Sequence, residues 1–369
     1  MFTRVHVDNY KALVNFDLVL PRRCLFLGAN GSGKTSVFEV IELLRSLLQG
    51  AALMQDEVPR VSAQTRTRWQ SRAQQEFEVE AKVRGHLYRY RLCIGHRADL
   101  SDCRIDAESL HCDGDQELFT SDAGKAQLYR DNRSKGPEVL VDWNRSSLPM
   151  LAGRRDNQLL SAFVEWLSRD VVLGRIQPDP RLMQSVSERP SPHLATNLSD
   201  FASFWRHIHE EDTEAAARLR EYLSGSLPGF RGLEFRKISD KASRLTARFA
   251  DASYGFEELS DGQRVLIVLY GLLVATRGRS MSLFLDEPDN FVSHREIQPF
   301  FNAIEDCDSL QVILISHHPT LTNLLATECG VLFRRAANAP VRVEPFSAPH
   351  ESSQPVADLI AQGFFDEPV

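Results

Sequence analysis

Four short clusters in this sequence bring together residue types that can act on a phosphate ester. The first is Gly28-Ala29-Asn30-Gly31-Ser32-Gly33-Lys34-Thr35, followed by Ser36. It stands between an apolar run, Cys24 to Leu27, and a segment with helical periodicity at Val37, Ile41, Leu44 and Leu48. Strand, glycine-rich turn and helix are the context a phosphate-binding loop requires. Glycines let backbone N–H groups turn inward, and the helix that begins near Lys34 aims its positive dipole end at the same anion. Lys34 would bridge the β- and γ-phosphates of a nucleotide, and the Thr35 hydroxyl would ligate Mg²⁺. A glycine-rich turn can match such a pattern by chance, so the other clusters matter.

The apolar run Met281 to Leu285 has the composition of a buried strand and ends in Asp286-Glu287-Pro288. Adjacent carboxylates at the carboxyl end of such a strand stand where α/β sheets place their ligands. Asp286 would hold the Mg²⁺ shell, and Glu287 would orient the attacking water and accept its proton. A second apolar run, Leu310 to Ile315, ends in Ser316-His317-His318-Pro319, which offers a histidine to a γ-phosphate. The fourth cluster, Leu259-Ser260-Asp261-Gly262-Gln263-Arg264, opens an apolar helix from Val265 to Ala275.

The elements that must position these residues follow from composition and pattern. A chain of 369 residues builds one large domain or two of medium size. Its net charge of −7 argues against a protein that coats nucleic acid by bulk charge, though not against a local basic groove. None of the six cysteines forms a C-x-x-C pair, which fits reduced thiols. The N-terminus lacks the apolar core of a signal peptide, and the most apolar window, Val265 to Ala275, is too short to span a bilayer. These features predict a soluble cytoplasmic protein without membrane contact.

Thr3 to Val7 reads as a first strand, and Val14, Phe16, Leu18 and Leu20 alternate as a second. Alternation at Phe77, Val79, Ala81 and Val83, a turn at Gly85, and alternation at Tyr88, Tyr90, Leu92 and Ile94 predict an antiparallel hairpin. From Val58 to Ala98, nine Lys and Arg stand against three Glu, so its outer face could follow the phosphate backbone of DNA. Asp99 to Arg155 is polar and turn-rich. Helices are predicted at Gln158–Leu167, Asp200–Glu210 and Thr213–Leu223, with no heptad repeat long enough for a coiled-coil arm. His207 and His209, at i and i+2, point to different sides of their helix and would not share a metal.

Asn30-Gly31-Ser32-Gly33-Lys34-Thr35, Leu259-Ser260-Asp261-Gly262-Gln263, Leu285-Asp286-Glu287-Pro288 and Ser316-His317 follow one another in chain order. That order resembles the Walker A, signature, Walker B and switch histidine of ABC-type ATPases. The opening Asn9-Tyr10-Lys11-Ala12-Leu13 looks like the start of the SMC/RecF branch. The likeness is closest to the OLD-like and Septu-like ATPases of bacterial antiphage systems. It covers about residues 1–50 and 255–335. The sequence departs from the pattern at Asp261, where glycine is usual, and at Phe291-Val292-Ser293-His294, where relatives usually read x-Leu-His-Pro.

The resemblance implies an α/β fold: an ABC-type ATPase head with a mixed sheet, an antiparallel β lobe and a helical insert. Its parts would be residues 1–184, an insert at 185–258, and 259–369. It also implies ATP and Mg²⁺ as ligands. Asn30 to Ser36 would hold the nucleotide, with Ser260, Gly262 and Gln263 completing the site on a second subunit of a homodimer or higher oligomer. Lys34, Glu287 and His317 would be catalytic. Thr35, Asp286 and Gln177, the latter in the Q-loop position, would surround the metal. Such a head would regulate a separate protein effector in antiphage defence; the alternative is a RecF-like DNA-repair clamp. A transporter subunit fits poorly, because more than half of the chain separates Lys34 from Ser260. A self-contained OLD-type nuclease fits poorly too, because the acids after Gly330 are scattered.

Overall fold

The structure, a computed structural model, describes residues 1–53, 61–96, 103–175, 183–347 and 354–362. It divides into two compact units, Met1–Val171 with Leu321–Val369, and Val172–Thr320.

The first unit opens with β1 (Phe2–Asp8), β2 (Phe16–Val19), β3 (Arg23–Leu27) and α1 (Lys34–Leu48). There follow β4 (Gln74–Val83), β5 (His86–His96), β6 (Cys103–Cys112), β7 (Gln116–Asp122), β8 (Lys125–Tyr129) and β9 (Lys135–Leu140). Helices α2 (Leu148–Leu151) and α3 (Gln158–Glu165) come next, α3 running on into a π-type turn at Trp166–Asp170. Eight of these strands form one antiparallel sheet in the order β2-β1-β4-β5-β6-β7-β8-β9. The predicted hairpin is β4–β5, with Val83 opposite His86 across Arg84-Gly85. Its inward residues Phe77, Val79, Tyr88, Tyr90 and Leu92 are completely buried. Phe163 packs against both tyrosine rings, at 5.3 and 5.6 Å between centroids.

The polar stretch from Asp99 to Arg155 carries four strands that apolar alternation does not announce. Strand β9, at the sheet edge, has no buried residue, so it lacks the apolar face on which periodicity depends. The turn residues were legible: Ala123-Gly124 joins β7 to β8, with φ of 47° and 83°.

The second unit begins in β10 (Val171–Arg175) and holds β11 (Val186–Ser187), α4 (Phe201–Glu211), α5 (Ala215–Leu223), β12 (Phe230–Lys237), β13 (Ser243–Phe249) and β14 (Ser253–Gly255). It continues with α6 (Asp261–Ala275), β15 (Met281–Asp286), α7 (His294–Glu305) and β16 (Leu310–Ile315). The segment 185–258, read as helical, therefore holds α4 and α5 but also four short strands, ordered β11-β13-β12 with β14 on β13. In β13 the inward residues Leu245 and Ala247 stand either side of Thr246 with Arg244 and Arg248 beyond them, a period of two set among the helices. Every residue of α6 from Arg264 to Ala275 is buried, as expected of a helix that is apolar all round. Strands β15 and β16 pair in parallel and are buried throughout, with β10 on the far side of β15.

The chain returns to the first unit through α8 (Pro319–Cys329), then β17 (Gly330–Arg334), β18 (Arg342–Pro345) and α9 (Val356–Ala361). There β17 pairs with β3 in parallel and with β18 antiparallel, which seats β3 and the loop after it. Among the described residues the longest helices, α1 and α6, have fifteen residues.

Candidate functional site

In the first unit, Gly28 to Gly33 links β3 to α1. Gly28 is buried with φ of 129°, and a Cβ there would lie 2.3 Å from the Phe333 carbonyl oxygen of β17. Only glycine lets the strand end against its neighbour at that point. Lys34 is 5% exposed, and its Nζ donates to the carbonyls of Gly28 at 2.7 Å and Ala29 at 3.0 Å. Ser32 Oγ lies 3.5 Å from the same nitrogen. The ammonium is thereby held at the centre of the loop.

Gly33 caps α1 without a side-chain hydrogen bond, and the first turn of α1 contains no acid. Nothing anionic of its own thus meets the positive end of the helix dipole. Asn30, Gly31 and Thr35 are exposed, Ser32 is buried and Ser36 half-buried. A contact that sequence reasoning missed lies beside them. Arg335 Nη1 donates to the Gly31 carbonyl at 3.3 Å while its guanidinium covers the Trp69 ring at 5.6 Å.

In the second unit, Asp286 ends β15 and forms an ion pair with Arg175 Nε at 3.3 Å. Arg175 closes β10, a strand that the sequence reading did not assign. Glu287 follows with φ of 53°, a left-handed backbone uncommon for a residue with a side chain. Its N–H donates to the Ile315 carbonyl at 2.8 Å, and Asn290 Nδ2 donates to its carboxylate at 2.6 Å. Asp289 is buried and accepts from the Ser316 hydroxyl at 3.0 Å; burial pushes its carboxyl up from the usual range. The loop after β15 is thus fastened to the end of β16.

Of the paired histidines, His318 accepts from the Thr320 N–H through Nδ1, at 3.2 Å, while His317 is exposed. Ser260 caps α6. Its Oγ accepts from the Gln263 N–H at 3.3 Å, and Gln263 Oε1 accepts from the Ser260 N–H at 3.0 Å. This reciprocal pair is a capping box, so both residues have a structural task besides any nucleotide contact. A Cβ on Gly262 would stand 2.6 Å from the Phe291 carbonyl, which brings the signature segment against the loop of Glu287. Gln177 lies outside the described residues.

The outer face of the β4–β5 hairpin is a lattice of ion pairs. Arg91 pairs with Glu76 at 2.6 Å, and Arg4 with Asp17, Glu78 and Glu80. Nearby, Arg72 pairs with Asp8. Those guanidinium groups are matched by carboxylates, which blunts the local basic charge that the composition announced.

Solved structures that share this architecture include two SMC heads. One is an SMC head bound to the C-winged helix domain of ScpA, 12% identical, with a TM-score of 0.58 over 94% of this chain and 98% of that one. The fold is that of an SMC head domain. The other, an Smc head with an extended coiled coil bound to the C-terminal domain of ScpA from Pyrococcus furiosus, is 11% identical, with a TM-score of 0.52 over 93% and 96%. Neither a protein-family model nor a curated protein matches the chain. The SMC-head fold is an ABC-type ATPase fold, the fold that the order of the four clusters led one to expect. No helix among the described residues is long and apolar enough to cross a membrane.

Proposed function

We propose that this chain binds and hydrolyses ATP as an ABC-type ATPase. The observation that supports the reading most strongly is the loop before α1: a buried lysine at its centre, positive-φ glycines, and a helix N-terminus without a side-chain cap. In this reading Lys34 binds the β- and γ-phosphates, and the N–H groups of residues 31–36 surround them. Glu287 takes a proton from the attacking water as the bond between the γ-phosphorus and its bridging oxygen breaks. Asn290 holds the Glu287 carboxylate, and His317 faces the γ-phosphate. Thr35 and Asp286 would hold Mg²⁺, which supplies charge neutralisation at the phosphates; a carboxylate and a hydroxyl are the hard oxygen donors that ion takes, and Asp286 would exchange its ion pair with Arg175 for the metal.

The order of the four clusters extends the proposal. Ser260, Gly262 and Gln263 of one copy complete the site of another, so ATP gates dimerisation. Both neighbouring SMC heads were solved with a ScpA domain bound. By analogy this head governs a separate protein effector, and the resemblance of its sequence to OLD-like and Septu-like ATPases supports antiphage defence as the setting of that proposal. The test is phosphate release by the purified chain with ATP and Mg²⁺. Turnover that Glu287→Gln abolishes supports the reading; no turnover, alone or with a co-purifying partner, contradicts it.

A further inference from the structure

Two hairpins turn at the same end of the large sheet. Arg84-Gly85 joins β4 to β5, and Asp113-Gly114-Asp115 joins β6 to β7. The corner brings together three residues that no cluster above uses: His86, Cys112 and Asp113. The ligand atoms that they offer all lie within 4.8 Å of one another. His86 Nδ1 is 2.6 Å from Asp113 Oδ2. The other oxygen, Asp113 Oδ1, accepts from the Leu87 N–H at 2.9 Å, and the Asp113 N–H donates to the Leu87 carbonyl at 2.7 Å. One carboxylate oxygen is therefore held by backbone and the other faces His86, while the Asp113 backbone is tied to the same residue of β5. Cys112 is buried directly across the ladder from Tyr88, whose hydroxyl is tied to the Leu159 carbonyl at 3.0 Å.

We propose that His86, Cys112 and Asp113 form a site for a zinc-class divalent cation. An imidazole, a thiol and a carboxylate together suit Zn²⁺ or Co²⁺ and disfavour Mg²⁺ and Ca²⁺, which take oxygen ligands. Tetrahedral ligands at zinc distances stand about 3.3–3.8 Å apart, so the corner needs only side-chain adjustments of about 1 Å. Three protein ligands leave a fourth position for water, and a bound ion would clamp the ends of two adjacent hairpins. Burial and the Asp113 carboxylate push the Cys112 thiol up to about 11, and a bound dication reverses that because a coordinating thiol is deprotonated outright. Among the described residues no other group of three such side chains comes together.

The test is titration of the full chain with Co²⁺ in saturating Mg²⁺, read by the thiolate-to-cobalt charge-transfer absorption. The proposed phosphate site offers no thiol, so this band separates the two sites. One Co²⁺ per chain, displaced by Zn²⁺, is the expected result. His86→Gln and Cys112→Ser should each weaken binding by about tenfold or more. Should Cys112→Ser fail to fold, His86→Gln on the half-exposed side still decides. No charge-transfer band, or one that His86→Gln leaves unchanged, overturns the proposal.

Discussion

Glu287 shows how much one residue can combine. It carries a left-handed backbone, a hydrogen bond to β16 through its N–H, and a carboxylate held by Asn290. Backbone of that kind costs on the order of 1–3 kcal/mol and persists only where its surroundings enforce it. If this is the general base, Glu287→Gln should lower turnover by about 10²–10⁴ while ATP still binds. Phosphate release and calorimetry on the same sample separate the two quantities. His96 offers a different test, of folding rather than catalysis. It is buried against Gln75 Oε1 at 2.8 Å, and burial, reinforced by Arg66, lowers its imidazole to about 4 from 6.5. The folded chain therefore holds it neutral, whereas the unfolded chain takes up a proton near pH 6.5. Its contribution is full above pH 6.5 and is lost as pH falls through 6.5 towards 4, by on the order of 3 kcal/mol. Urea midpoints should fall more steeply with acid in the wild type than in His96→Gln; parallel slopes would refute this.

At the scale of elements, legibility tracked how far burial imposes a pattern. Leu310–Ile315 was read to the residue because every side chain of β16 is buried and all but Gln311, which accepts from the Ser282 hydroxyl, are apolar. Strand β6 was missed because its inward face mixes Cys103, Ile105 and Leu110 with the buried carboxylate Glu108, which breaks the apolar alternation, and β9 because it contributes no buried side chain at all. The same logic explains the site. The strand–turn–helix around Gly28–Lys34 and the strand end at Asp286 were legible, since a short motif fixes them. Arg175 was not, because its meaning comes from β10 lying beside β15, a pairing of strands far apart in sequence. Ser260 was read as a nucleotide contact, and the structure adds its helix cap. Ser260→Ala should therefore cost about 1 kcal/mol of stability, whatever it does to catalysis. Chemical denaturation measures this directly; an unchanged midpoint would show that the capping box contributes nothing to the fold.

For the whole molecule, the SMC-head fold leaves the partner open to experiment. If Glu287→Gln stalls hydrolysis after ATP has joined two copies, the variant should accumulate a dimer in sedimentation with ATP that the wild type shows only briefly. A variant that stays monomeric would sink the gating proposal and spare the chemistry. DNA binding is tested by its salt dependence, which is steep where cations replace counterions. The ion pairs that engage Arg4, Arg72 and Arg91 predict weak binding and a shallow slope. The central claim, however, is that the loop before α1 holds the phosphates of ATP, and titration calorimetry on wild type and Lys34→Ala addresses it most directly. With Mg²⁺ present, the account predicts saturable one-to-one binding that Lys34→Ala weakens by about 10² or more, since a charge-assisted contact in a water-poor loop is lost. Unchanged affinity in a folded Lys34→Ala variant would contradict it.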